Sequence, residues 1–361
     1  MIKGDLLYNY EKTSKSLKMS NITLSLLIDK LYNGEFLESL LSGINISSFD
    51  SKDTIGIRWE EIPYFLPTTL PRSSFKLETS DGDYLLKLNC KNSQIHREGT
   101  ICRILNSRNY TNLIAPQIVA MEPSIILPGN KNCGWLLTKW IKGTPVSQSN
   151  FEDITIPFTK SLIELHTTPV KNYDVQLLFS TPLPNNDIAF SILRERRRQH
   201  FNDLLNICGS YIKPSILFFQ DIVDKISFSP HLSFIHGDLH INNIKKLGQK
   251  NNTGTKLLLF DWEDVSLDHP LSDLANLMFS ENFSMASVNC LESYINLYNK
   301  KHSRGFPLSS IDAWLLSSVW FSRNLHWKLQ SSPDETHRYI EMKASDVALT
   351  IIRAIETLNY L

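Results

Sequence analysis

Three oxygen-bearing side chains stand close together between Phe234 and Asp264, in the stretch FIHGDLHINNIKKLGQKNNTGTKLLLFDWED. Asp238 is followed five residues later by Asn243, and Asp261 ends the run Lys256-Leu257-Leu258-Leu259-Phe260. A loop carboxylate can accept a hydroxyl proton, and an amide with a second carboxylate can hold a divalent cation. Together these are the core of phosphoryl transfer, whose chemistry is mostly positioning and charge neutralisation. A second chemistry uses the same residues. His236, Asp238 and His240 alternate, and on a strand H-x-D-x-H would turn three metal ligands to one face, as in a metal-dependent hydrolase. That reading finds no further His or Cys cluster downstream, and it leaves Asn243, Asp261 and Asp273 without a task.

These groups need elements to hold them. Residues 73–88 read as a hairpin, with strands Ser73–Thr79 and Tyr84–Leu88 around an Asp-Gly turn. Strand alternation places Leu85 and Lys87 on one face and Tyr84, Leu86 and Leu88 on the other. The following HREGTICRIL predicts a helix over 96–105, with Glu98 on the same inward side as Ile101, Cys102 and Leu105. Residues 134–143 read as a buried strand running into a Gly-terminated segment, and Phe158–His166 as a helix. Later helices are predicted over 286–299, 309–329 and 333–360, with Ser309 or Ser310 and Ser332 as N-caps and Pro333 in a first turn. At the other end, 1–20 read as a polar lead-in, and 20–41 as a helix broken near Asn33-Gly34.

The combination HGDLHINN, a strand ending in Asp261-Trp262-Glu263, and DHPLSDLA resembles the aminoglycoside phosphotransferase/choline kinase superfamily, relatives of the protein kinases. Recognisable landmarks run from about Phe75 to Ala275. The resemblance implies an α+β, two-lobed, protein-kinase-like fold, with an antiparallel-sheet N-terminal lobe over 1–139 and a mainly helical C-terminal lobe over 140–361. It implies ATP, or another nucleoside triphosphate, with Mg²⁺. Asp238 becomes the catalytic base, Asn243 and Asp261 the metal ligands, Lys87 the phosphate-binding lysine and Glu98 its clamp partner. Lys139, Trp140 and Ile141 match the lobe-connecting hinge whose backbone pairs with adenine. Ser73 and Ser74 end the loop that would cover the phosphates, and here the chain departs from the kinase pattern: no glycine lies between Arg58 and Gly82. His236, His240 and Asp273 are expected to organise the loop around Asp238, and His166 to be structural.

The acceptor is the least legible part, because no motif aligns after Phe279. Glu263 and Asp264 follow the metal Asp and are candidates to face the acceptor. So is Arg323, which falls with Trp320 and Trp327 at i, i+3 and i+7 along one predicted helix, either lining a pocket or filling the core. Only eleven residues separate Asp261 from Asp273, which leaves little room to dock a peptide and favours a small-molecule hydroxyl acceptor over a protein substrate. A nucleotide-binding pseudokinase or regulatory module is the alternative, but it would not require the base. Lys plus Arg and Asp plus Glu balance at 37 each, so charge gives no footprint for a nucleic-acid or membrane-surface partner. The Arg194–Arg198 run reads as a solvated helical face. Five scattered cysteines without a C-x-x-C, and no 18-residue apolar run, suit a cytoplasmic protein. No motif bears on oligomeric state.

Overall fold

The computed structural model describes residues 15–19, 23–32, 73–89, 92–127, 131–183, 185–226, 232–248, 255–301 and 307–359. The expected helix break at Asn33-Gly34 and most of the loop before the hairpin lie outside the described residues. The chain forms two compact units. One comprises residues to Asn109 with Ile114–Thr144 and Leu258–Glu263, and the other Tyr110–Leu113, Pro145–Leu257 and Asp264–Leu361. The short segment Leu258–Glu263, which carries Asp261, groups with the first unit.

The first unit is built on a five-stranded sheet. Its strands are β1 (Lys15–Met19), β2 (Ser73–Thr79), β3 (Gly82–Asn89), β4 (Ile118–Leu127) and β5 (Lys131–Lys139), in the order β1-β2-β3-β5-β4. All pairings are antiparallel except β1 with β2, where Lys15 stands beside Phe75 in a parallel register. Residues 15–19 are thus a strand, not part of a lead-in. Their sequence, KSLKM, has too little apolar alternation to announce it, and the pairing partner lies far along the chain.

Tyr84, Leu86 and Leu88 of β3 turn to one face of the sheet. There they pack with Leu77, Trp135 and Leu137 against Leu27 and Leu31 of helix α1 (Leu24–Leu31). Each such leucine contributes roughly 1.5–3 kcal/mol when fully removed from water, so this apolar face anchors the strand that carries Lys87 on its other side. The hairpin turn also starts α1: the Asp81 carboxylate accepts the Leu24 N–H at 2.7 Å, beside the Thr23 hydroxyl cap. Helix α2 (Asn92–Asn106) packs against β4 and β5. Gly99 permits the close approach, since a Cβ there would stand 2.1 Å from the Met121 sulfur.

The second unit is helical: α3 (Phe151–His166), α4 (Asn172–Phe179), α5 (Asn186–Ile207), α6 (Lys213–Ile222), α7 (Ser272–Ser280), α8 (Met285–Lys301), α9 (Ser310–Ser331) and α10 (Asp334–Asn359). Ser309 caps α9, its hydroxyl accepting the Ile311 N–H at 3.4 Å. Short strands β6 (Ser233–Ile235) and β9 (Ser266–Asp268) pair antiparallel and bracket the Asp238 loop. Between them in the chain lie β7 (Ile244–Leu247) and β8 (Lys256–Leu259). Among the described residues no helix is long and apolar enough to cross a membrane.

Candidate active site

In the sheet unit, Lys87 sits between Ser74 of β2 and Leu136 of β5 in the ladder, and its side chain is buried. Its ammonium donates to Glu98 Oε2 at 2.6 Å and to Asp261 Oδ1, and it lies 3.1 Å from Glu263 Oε2. Glu98 comes from α2. Asp261 and Glu263 come from the turn after β8, where Asp261 takes a left-handed backbone with φ of 71°. Burial alone pulls the lysine down, but the carboxylates of Asp261, Glu98 and Glu263 outweigh it and hold the ammonium well above its ordinary range. Glu98 responds in the opposite sense. Burial, opposed by Lys87 and reinforced by Asp261 and Glu263, pushes its carboxyl up to about 7.

Three carboxylates against one ammonium leave a buried excess of negative charge. The oxygens of Glu98, Asp261 and Glu263 lie within 4.8 Å of one another, and hard oxygen ligands of this kind suit Mg²⁺. Glu263 was a candidate to face the acceptor; here its carboxylate is buried against Lys87.

A pH dependence follows from Glu98. Folded, it holds its proton up to about 7, against an ordinary value near 4.5. Between these values the folded state binds more protons than the unfolded one. The contribution to stability is therefore complete below about 4.5 and is lost as pH rises through about 7. Urea unfolding of metal-stripped protein is expected to show stability falling over that window, and Glu98→Gln to flatten the fall. Parallel profiles for the two proteins would remove Glu98 as its source.

The residues expected at the hinge lie on the same unit. The Trp140 N–H donates to the Asp83 carbonyl at 2.9 Å, and the Lys139 N–H to the Gln117 carbonyl at 2.9 Å. Lys76 stands 5.6 Å from the Trp140 ring centre while paired with Glu78 and Asp83. Ile141 is half-buried, and Ser74 lies on β2 with its side chain half-buried. Ser73 begins β2.

In the helical unit, the loop after β6 is organised by a carboxylate from α7. Asp273, fully buried, accepts the His236 N–H at 2.9 Å and the Gly237 N–H at 3.1 Å, and its Oδ2 lies 3.1 Å from His166 Nε2. The other ring nitrogen of His166 meets the Tyr294 hydroxyl at 2.8 Å. Gly237 has φ of 80°, and a Cβ there would fall 2.0 Å from the Asp264 carbonyl oxygen, so only glycine lets the loop turn this tightly. The buried His236 ring accepts the Asp238 N–H through Nδ1 at 3.4 Å. Asp238 itself keeps about half of its side chain in water, with His240 Nε2 3.6 Å from its carboxylate. Asn243 donates through Nδ2 to the Asp238 carbonyl at 2.9 Å. Its Oδ1, fully buried, has no hydrogen-bond partner among the described residues. A buried amide oxygen left without a donor is suited to a metal ion.

Sequence reading missed one member of this loop. Glu281, at the end of α7, is buried, and burial raises its carboxyl against the opposing pull of Gln148, the Ile241 N–H and His240. It accepts from Ile241 N at 3.5 Å and from Gln148 Nε2 at 3.2 Å. No spacing in the sequence ties Glu281 to residue 241. Asp264 is half-buried beside Gly237. Arg323 is exposed and lies over the Trp320 ring at 4.4 Å, and Trp327 is 38% exposed, so this stripe is not a filled core.

The model of a phosphotransferase enzyme family matches residues 71–306, well over half of the chain. No curated protein matches it. Among solved structures, the ADP-bound aminoglycoside phosphotransferase APH(2'')-Ib superposes with a TM-score of 0.54 at 15% identity, covering 87% of this chain and 97% of that one. A thermostable mutant of aminoglycoside phosphotransferase APH(4)-Ia, in a ternary complex with ADP and hygromycin B, gives 0.54 at 10% identity, with 88% and 97% covered. Choline kinase LicA from Streptococcus pneumoniae gives 0.52 at 13% identity, with 87% and 99% covered. Identities this low speak to the fold, and the fold is the two-lobed α+β architecture.

Proposed function

The chain belongs to the phosphotransferase enzyme family, and on that premise we propose that it is an ATP-dependent O-phosphotransferase acting on a small-molecule hydroxyl. An aminoglycoside-type antibiotic, an amino alcohol and a sugar are the acceptor classes in view. The observation that carries the reading is the buried cluster in which one ammonium, Lys87, faces Glu98, Asp261 and Glu263. A group of this composition is short of positive charge and suited to Mg²⁺ with the phosphates of a nucleoside triphosphate.

Asp238 accepts the acceptor's hydroxyl proton as the oxygen attacks the γ-phosphorus. The new P–O bond forms while the bond from the γ-phosphorus to the β,γ-bridging oxygen breaks, and ADP leaves with that oxygen and its electron pair. Lys87, held by Glu98, pairs with the phosphates. Asp273 and Glu281 hold the loop so that Asp238 needs no reorganisation at the moment of reaction. Asn243 Oδ1 and Asp261 would supply oxygen ligands to Mg²⁺, which neutralises phosphate charge when bound. The free thiols Cys102, Cys133, Cys208 and Cys290 suit a reducing cytoplasm.

The test is an ADP-release screen over aminoglycosides, macrolides, choline-like amines, sugars and amino acids. Alongside it, Asp261→Ala and Asn243→Ala are expected to weaken Mg·ATP binding by tenfold or more, on the order of 1.4 kcal/mol each. Titrations matching wild type in both variants would defeat the metal assignment. Zinc in the purified protein would instead favour hydrolase chemistry at His236, Asp238 and His240.

A further inference from the structure

Helices α5 and α9 pack against each other in the helical unit. Arg196 and His200 stand one turn apart on α5, and Arg323 and His326 about one turn apart on α9. The four are electrostatic neighbours, since Arg323, Arg196 and His326 all act on His200. Arg194 and Arg198 of the same α5 run pair with Asp224, and Arg197 donates to Asp268 at 2.6 Å. Among the described residues, neither Arg196 nor Arg323 has a carboxylate within ion-pair distance.

Arg323 is nonetheless held in place. Its guanidinium lies over the Trp320 ring, and the indole is itself fixed, donating from Nε1 to the Ser272 carbonyl at 3.0 Å. A stacked, planar guanidinium presents its donor edge ready for an oxyanion. The carboxylates whose charge reaches it are Asp264, Asp268 and Asp238. Of these, Asp268 is engaged by Arg197 and by the His269 N–H at 2.7 Å. Asp238 is the catalytic base of the reading above. The Ser272 carbonyl that fixes the Trp320 indole directly precedes Asp273, whose carboxylate holds the His236 and Gly237 N–H groups, so the Arg323–Trp320 pair is tied to the helix that anchors the Asp238 loop.

On that phosphotransferase reading, we propose that Arg323, seconded by Arg196, is the anion-binding subsite for the acceptor, which is a hydroxylated small molecule bearing a carboxylate or a phosphate. A forked guanidinium pairs with either group through two parallel hydrogen bonds. The same two arginines repel a polyamine, so they select against a polycationic acceptor as well as for an anionic one.

Matched probes test it: polyol skeletons ending in a carboxylate, a phosphate, a hydroxyl or an ammonium, such as gluconate, glucose 6-phosphate, glucose and glucosamine. Binding to the full chain is read by tryptophan fluorescence, and turnover separately by ADP release. The anionic members are expected to bind at least tenfold more tightly than the neutral and cationic ones. Arg323→Ala should erase that preference, Arg323→Lys restore part of it, and Arg198→Ala, which removes the same charge on the Asp224 side of α5, leave it intact. The carboxylate and phosphate arms show which oxyanion the site prefers. Tighter binding of the ammonium members, no discrimination among the four classes, or equal loss in Arg198→Ala would overturn the subsite. If anionic probes bind through Arg323 but draw no ADP release, the subsite stands and ATP-dependent transfer to a hydroxyl of these skeletons fails instead. Unfolding temperatures of all variants separate a binding loss from a folding loss.

Discussion

Asp238→Asn is expected to slow turnover by about 10²–10⁴-fold, the usual worth of a positioned general base, while leaving the loop and Mg·ATP binding nearly unchanged. The substitution keeps the size of the side chain while removing its negative charge and its capacity to take a proton. What holds the loop is elsewhere. Asp273 accepts the His236 and Gly237 N–H groups, Asn243 donates to the Asp238 backbone carbonyl, and Glu281 accepts from Ile241. None of these bonds uses the Asp238 carboxylate. The measurement is kcat at saturating ATP and acceptor, with a Mg·ATP titration and an unfolding curve on the same sample. A rate within threefold of wild type would take Asp238 out of the base role. A large loss of stability would instead make it a structural residue.

Lys87→Met carries the largest expected effect on stability. The substitution keeps the apolar stem but leaves Glu98, Asp261 and Glu263 without the ammonium that holds them. Removing one partner from a buried ionic group costs about 3–5 kcal/mol, because the remaining charges stay out of water. The loss should be greatest above pH 7. Below that, Glu98 takes up a proton and relieves part of the repulsion, since burial already raises its carboxyl to about 7. Urea midpoints at two pH values check both statements. An unchanged midpoint at alkaline pH would mean that the ammonium does not hold the cluster together. Lys87→Arg, which keeps the charge, separates loss of the cation from loss of shape.

Much of the architecture was legible because it depends on local pattern. Alternation along Tyr84–Leu88 separates Lys87 from the apolar face, and the structure packs Tyr84, Leu86 and Leu88 against α1 as that period requires. The late helices run over Met285–Lys301, Ser310–Ser331 and Asp334–Asn359, within two residues of their periodic reading. The Asn150–His166 region shows the limit: α3 begins at Phe151 and continues through Pro157, where a proline argues against helix and the buried Ile154, Phe158 and Leu162 decide for it.

The sequence by itself determined which chemical groups this protein possesses and their local order: a loop carboxylate, an amide five residues on, a carboxylate after a strand, and a lysine facing away from an apolar strand face. These follow from spacing, because alternation and helical period are properties of a short stretch of backbone. Tertiary structure alone decided partnership. Nothing near Glu263 in the sequence says that it turns to Lys87 and not outward, nor that Glu281 reaches Ile241, nor that Asp273 shares its oxygens between a loop and His166. It also decided that residues 258–263 belong with the sheet and that KSLKM adds a parallel strand to Ser73–Thr79. The physical reason is the same in each case. The energy of a buried charge or a strand edge depends on which distant group meets it once water is excluded, and that information is carried by the packed chain rather than by any one segment of it.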